Sequence, residues 1–416
     1  MTDVVNDTTL KTRFSRTERR KRVRALLLVL PLFLFICVTF LAPVAEMLFR
    51  STDNTAVHNA LTNTHKALSS WDENSGELPP QAAYLAIIAD VKAGAKKKMF
   101  TRVGRRLNYQ ISGVSSMFRK TARQARRLPD DIADPQTALI KIHKKWGDVN
   151  IWRGIKYFTT PYTSSYYLDA TDFGYVLENG DYARKVESQR VYLNLFWRTI
   201  IMSVAITLLT LLMAYPTAFL ISSISSQSAN LLLIMVLLPF WTSLLVRTTS
   251  WIVLLYQEGV INDLLVSLGL VSDDGRLELI HNTTGTIVAM THILLPFMLL
   301  PLYSVMKTIN PAYMRAARSM GAGAFTAFRR VYFPQTVPGI GAGAILVFIL
   351  AIGYYITPEL VGGVEGTFIS NRIAYHVRSS GNWGLASALG FILLILVLLM
   401  YWCYDKIVGI DNMKLG

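Results

Sequence analysis

Ionisable and aromatic groups set inside apolar runs are the residues of this 416-residue chain best placed to do chemistry. Arg247 follows Trp241 and Thr242 within one such run, His292 precedes Pro296 and Pro301 in another, and Tyr354 and Tyr355 close a third, just ahead of Pro358 and Glu359. Polar groups in such runs are costly and face a protein interior or water, so they are candidates for lining a solute pathway. Aromatic rings beside a carboxylate suit an ammonium group through cation–π and ionic attraction. Interfacial belt tyrosines, with Glu359 as a hydrogen-bonding gate residue, fit the same segment equally well. Arg247 is read as the outer end of its helix, either on the pathway or snorkelling to headgroups. His292 is a proton relay or, more simply, a hydrogen-bonding partner of a neighbouring helix. Pro296 and Pro301 each break a backbone hydrogen bond, which kinks a helix or frees carbonyls towards a cavity.

Catalysis is not indicated. Cys37 and Cys403 both fall in apolar runs, which rules out a disulfide framework and a cysteine zinc site. No Gly-x-x-x-x-Gly-Lys-Ser/Thr phosphate loop occurs, so any ATP and Mg must be bound by another polypeptide. No catalytic, cofactor-binding or metal residues are assigned.

These groups need membrane helices to position them. With 52% hydrophobic and 17% charged residues and a mean hydropathy of +0.35, the chain has too little charge for a soluble surface. Six runs of about 20 apolar residues, the length of a span, cover 25–48, 200–221, 231–256, 286–306, 337–356 and 385–404. The expected organisation is a basic N-terminus (1–24), a first transmembrane helix (25–48), an insertion (49–199), a multi-helix membrane core (200–409) and a tail (410–416). The apolar run at 25–48 is too long for a signal peptide, and Pro43 with Glu46 replaces a cleavage site, so the helix is read as retained.

Lys and Arg ahead of the first span put the N-terminus in the cytoplasm, and an even number of spans returns the C-terminus there. The loop 307–330 then falls in the cytoplasm with five Lys/Arg and no acid, whereas the acidic 258–278 falls outside. The insertion is extracytoplasmic, expected to be helical over 81–127 and irregular over 157–180. Its stretch 92–127 carries many Lys and Arg without one Asp or Glu. Such a stripe suits phospholipid headgroups, or an acidic partner or anion vestibule; nucleic acid is excluded by its location.

One loop, 310–334, has a pattern of its own. Asn310-Pro311 starts a helix, Ala316 and Ala317 give it a smooth face, Gly321 turns the chain, and a second short helix is expected to stop at Pro334. The loop resembles the coupling motif of binding-protein-dependent ABC importer permeases: Glu-Ala-Ala, three residues, Gly, nine residues, Ile, one residue, Leu-Pro. Ala316, Ala317, Gly321, Val331, Phe333 and Pro334 stand in register, with Arg315 in the Glu position. Leu238-Pro239-Phe240-Trp241-Thr242, Leu295-Pro296-Phe297-Met298 and Ile356-Thr357-Pro358-Glu359-Leu360 are similar to the spermidine/putrescine branch. The resemblance implies an all-α membrane protein of six transmembrane helices, with the type I importer permease (MetI-like) fold and a large extracytoplasmic insertion between helices 1 and 2. It further implies two ATPase subunits, a second permease expected to be a different chain, a periplasmic substrate-binding protein, and residence in a bacterial inner membrane. A secondary transporter is the alternative, but neither inverted repeats nor intramembrane carboxylates for ion coupling are convincing here.

Overall fold

The computed structural model describes residues 4–94, 99–129 and 132–408. Lys96, Lys97 and Lys98 of the basic stripe and the 410–416 tail lie outside the described residues. Five helices are long and apolar enough to cross a membrane, and a bent pair adds a sixth.

The first is a single rod. Helix α1 (Val4–Ile36) passes through a π turn (Cys37–Leu41) into α2 (Ala42–Arg50). Its apolar stretch is exposed to the surroundings, and α2 leans on the start of the last helix, where the Met47 side chain fills the space beside Gly390.

Three helices form the centre: α8 (Tyr192–Ser223), α11 (Thr283–Thr308) and α14 (Phe333–Gly353). At about 1.5 Å per residue, the 32 residues of α8 exceed the ~30 Å hydrocarbon layer. One end therefore projects towards the insertion. Small residues let the backbones approach, as is usual between membrane helices: a Cβ on Gly343 would press on Met298 of α11, and one on Gly339 on Val305. Buried Thr207 and Thr210 of α8 return their hydroxyls to carbonyls of their own helix, at 2.7 and 2.8 Å, and so bring no unpaired donor into the core. Both Pro296 and Pro301 lie inside the continuous α11. The last helix, α17 (Trp383–Val408), packs beside α14.

The third span is not the single helix expected over 231–256. Helix α9 (Ser226–Leu237) tightens into a 3₁₀ turn (Leu238–Trp241), Thr242 and Ser243 are extended, and α10 (Leu244–Leu255) resumes across a bend of 94°. Pro239 explains the stop, since it lacks an N–H and its ring opposes the carbonyl four residues back. Along α11 the pairings nonetheless advance in one direction: Phe240 on Phe297, Trp251 on His292, Leu255 on Ala289. The pair thus passes along α11 as a broken span, which with the five long helices makes up to six crossings.

Pro334 does not end the preceding short helix either. Helix α13 (Ala324–Ala327) continues through a π turn (Phe328–Tyr332) into α14, giving one 30-residue rod. The same arrangement occurs at Pro43, two residues after the π turn of the first rod. A π turn shifts the hydrogen-bond register, and the proline that follows lies where the ladder is already re-set.

The insertion has a core of its own, built on Tyr84, Phe118, Trp146 and Trp152, with ring centroids 4.7 Å (Tyr84–Trp152) and 5.0 Å (Trp146–Trp152) apart. Its helices include α3 (Gln81–Gly94), α4 (Met99–Leu107), α5 (Val114–Gln124) and α6 (Val149–Phe158), so the described residues of 81–127 are mainly helical. The 157–180 stretch is more ordered than expected. It holds α7 (Ser165–Ala170) and the first strand of a hairpin, β1 (Phe173–Tyr175) against β2 (Tyr182–Arg184). Buried Asp172, at φ 58°, ties this part to the membrane helices by accepting the Val191, Tyr192 and Leu193 N–H groups at 3.1, 3.1 and 2.9 Å, where a carboxylate favours a helix N-terminus.

Candidate functional site

The residues of the 310–334 loop occupy the end of the bundle opposite the insertion. Asn310 caps α12 (Pro311–Ser319) by accepting the Ala312 N–H at 2.9 Å, with Pro311 in the first turn, where its missing N–H costs nothing. The helix stops in a Schellman turn: the Gly321 N–H reaches the Arg318 carbonyl at 3.0 Å and the Ala322 N–H that of Ala317 at 3.1 Å, with Gly321 at φ 88°. Ala317 faces inward, whereas Arg315, Ala316 and Gly321 face out. Met320 (82% exposed) and Phe325 (74% exposed) stand on the same loop, an apolar surface with a basic rim. Val331 is half-buried in the π turn, and the Phe333 ring lies 6.0 Å from Tyr215 of α8, which fixes the loop to the bundle. Sequence reading missed Met320 and Phe325; two bulky apolar residues flanking a turn glycine are the signal that could have found them.

The pathway candidates fall into two groups. Arg247, His292 and Tyr354 come together. Arg247 sits in the first turn of α10, just past the break and not at the outer end of a helix, because the break restarts the helix at Leu244. Its guanidinium stands 5.8 Å from the Phe240 ring, and its Nε is buried without a partner near His292 and Tyr354. His292 Nδ1 accepts the Trp251 indole N–H at 3.1 Å, which is the interhelical hydrogen bond. One further polar pair, the Thr248 and Thr357 hydroxyls 3.2 Å apart, links α10 to α15 (Ile356–Val361). Trp241 (78% exposed) and Thr242, whose hydroxyl donates to the Pro239 carbonyl at 2.6 Å, instead point away at the break.

Tyr355 and Glu359 belong to the second group, around α15 and α16 (Ile369–Tyr375). Asn371, not singled out from sequence, donates to the Tyr355 carbonyl at 2.8 Å and to Glu359 at 2.6 Å. Arg378 donates to the Tyr355 hydroxyl at 2.6 Å. Glu359 also borders a cavity of about 480 Å³ with Arg190, Arg198 and Arg372. The α15–α16 segment is held to the start of α11 by the His281 N–H on the Val361 carbonyl (2.7 Å) and the Thr286 hydroxyl on the Gly366 carbonyl (3.1 Å). Beside it, burial drives the His376 pKa down to about 4, helped by Arg372; its Nε2 lies 2.9 Å from the Tyr192 hydroxyl and its Nδ1 3.0 Å from Ser380 Oγ. Among the described residues no three His, Cys, Asp or Glu are grouped as metal ligands.

Residues 180–408 match the family model described as the binding-protein-dependent transport system inner membrane component. The chain belongs to this family. The chain is similar to spermidine/putrescine transport system permease protein PotB of Haemophilus influenzae, 35% identical over 224 residues that cover 54% of this chain and 78% of that protein. PotB of Escherichia coli K12 is 31% identical over 244 residues, covering 58% and 87%. The inner membrane ABC transporter permease protein YdcU of E. coli K12 is 32% identical over 222 residues, covering 51% and 70%. Among solved structures, a bacterial ABC transporter involved in import of the acidic polysaccharide alginate aligns at 20% identity and a TM-score of 0.43, covering 53% of this chain and 80% of that one. This binding-protein-dependent inner membrane component is a multi-pass permease subunit of an ABC importer and not an enzyme; ATP hydrolysis resides in separate subunits. Residues 49–179, most of the insertion, lie before the matched region.

Proposed function

We propose that this permease passes a polyamine, or a related amine or amino-acid-like compound, delivered by a periplasmic binding protein, and that the 310–334 loop receives the ATPase. Relatives named for spermidine and putrescine transport support the substrate class. The observation that carries the coupling role is the Gly321-turned loop with Met320 and Phe325 exposed beside Ala316, an apolar face set away from the bundle. Burying two such side chains stabilises a contact by roughly 1.5–3 kcal/mol each. In this reading two ATPase copies bind ATP and Mg, a second, different permease completes the pathway, and Arg315 and Arg318 meet acidic groups on the ATPase. Both termini are cytoplasmic, and the insertion is periplasmic. Arg247, His292 and Tyr354 form a polar point inside the pathway wall, and Tyr355 and Glu359, held by Asn371, form part of its outer gate.

The test is reconstitution of the purified complex in proteoliposomes. Binding protein loaded with spermidine should stimulate ATP hydrolysis and drive uptake, and a Met320→Ser, Phe325→Ser double variant should lose ATPase from the purified complex. Uptake without ATP, or an ATPase retained by that variant, would overturn the reading.

A further inference from the structure

The cavity between the insertion and the outer ends of the first and last membrane helices is assigned to neither the coupling loop nor the gate. It has a volume of about 640 Å³ and is walled by α2, α4, α7 and the start of α17. Arg50, Arg105 and Arg106 supply its positive charge. Of its two acids, Glu46 is paired with Arg50 at 2.5 Å, and Asp53 accepts the Thr55 N–H at 3.0 Å. Asn382, only 3% exposed, uses its Oδ1 on the Leu385 N–H, while its Nδ2 is buried with no partner. The Arg106 guanidinium lies 3.9 Å from the Tyr166 ring centre and its Nη2 is 3.4 Å from Ser165 Oγ, yet Nε and Nη1 are also buried and unpartnered. Arg106 and Asn382, which both line this cavity, thus carry three buried donors without an acceptor in the protein. Buried donors are nearly always paired, and the group that pairs them must carry oxygen acceptors. A guanidinium favours a phosphate or carboxylate oxyanion above neutral acceptors.

The location narrows the source. Arg50 stands 5.5 Å from the Trp383 ring, and this pair closes the ends of two apolar helices, where Trp and Arg anchor at the membrane surface. The cavity therefore opens at headgroup level, where the phosphates are. From the insertion side, the Tyr109 hydroxyl donates to the Ser380 carbonyl at 2.9 Å. A Cβ on Gly384 would overlap the Tyr166 ring, so the docking is close.

We propose that this cavity is a phosphate-oxyanion site, filled by the headgroup of an anionic phospholipid, that fastens the insertion to the first and last membrane helices. The site is independent of the transported solute. Its test is native mass spectrometry of the whole transporter complex, stripped of lipid and re-exposed to phosphatidylglycerol vesicles, to phosphatidylcholine vesicles or to inorganic phosphate alone. Phosphatidylglycerol should be retained above phosphatidylcholine, and Arg106→Gln should reduce its retention by about fivefold, the effect of one guanidinium at a membrane surface. Should that variant fold poorly, exposed Arg105→Gln reads the same loss, and Arg119→Gln on the outer face of α5 should change nothing. Retention of inorganic phosphate, with no preference between lipids, supports the oxyanion site with free phosphate as its source. Equal retention of both lipids with no phosphate bound, or retention unaffected by both variants in the cavity, overturns the proposal.

Discussion

Replacing Gly321 tests the coupling loop through its backbone. At φ 88° the residue occupies the left-handed region, and a Cβ built there has nothing within 4 Å. A substitution thus meets no obstacle in this chain, and its whole internal cost is conformational. That cost is about 1–2 kcal/mol for an ordinary L-residue, small for Asn, which tolerates this region, and largest for a β-branched residue. It opposes the turn that directs the Ala322 and Gly321 N–H groups to the Ala317 and Arg318 carbonyls. One to two kcal/mol is a factor of roughly 5–30 in the population of the turned loop. Gly321→Asn should therefore keep most spermidine uptake in proteoliposomes, whereas Gly321→Val should lose about tenfold or more. Membrane abundance should stay unchanged, because no packing is disturbed. Normal uptake by Gly321→Val would refute the coupling assignment. Equal loss with Asn and Val would refute the conformational reasoning, since side-chain bulk against the partner would then be responsible.

Asp172→Ala should lower the thermal stability of the purified complex by about 2–4 kcal/mol, because three N–H groups at the start of α8 lose a charged acceptor; Asn, which suits φ 58°, should restore part of it. Gly366→Ala should destabilise by about 1–3 kcal/mol in the same melting assay, since its Cβ would meet Gly362 Cα at 2.5 Å and the Asn282 carbonyl at 2.6 Å. Asn371→Leu leaves Glu359 without its donor and should slow uptake without detaching the ATPase, read by transport and pull-down together.

The coupling loop was legible because its chemistry is local: Asn310, Pro311 and Gly321 each act within a few residues on their own backbone. The spans were legible by length and composition. The break at Thr242 was not placed, although Pro239 was in view, because proline is also tolerated inside continuous helices such as α11, where Pro296 and Pro301 sit. Whether a helix stops depends on whether neighbours hold it, and Phe240 on Phe297 with Trp251 on His292 instead hold the two bent pieces. The π turns ahead of Pro43 and Pro334 were hidden for the same reason. Arg247 was assigned to the wrong end of its helix as a direct consequence of the missed break. Glu359 was singled out, but its partner Asn371 lies on another helix, and no spacing in the sequence connects them.

His376 joins the two halves of the protein and gives them a pH dependence. It touches Tyr192, at the start of α8, and Ser380, whose carbonyl receives the Tyr109 hydroxyl of the insertion. The charged groups facing it are Arg372, which opposes protonation, and none of its hydrogen-bond partners is an acid. Unfolded histidine titrates near 6.5, and here the folded value falls to about 4. The unfolded chain then binds the proton more readily. The stabilisation is complete above about pH 6.5 and is lost as the pH falls towards 4, by an amount on the order of 3 kcal/mol. Melting of the purified complex should drop steeply between pH 6.5 and 4, and His376→Gln, which keeps hydrogen-bonding capacity without the charge, should flatten that part of the curve. An unchanged slope in the variant would mean that other groups, such as His65, whose pKa is lowered by burial and by His58, govern the acid limb instead.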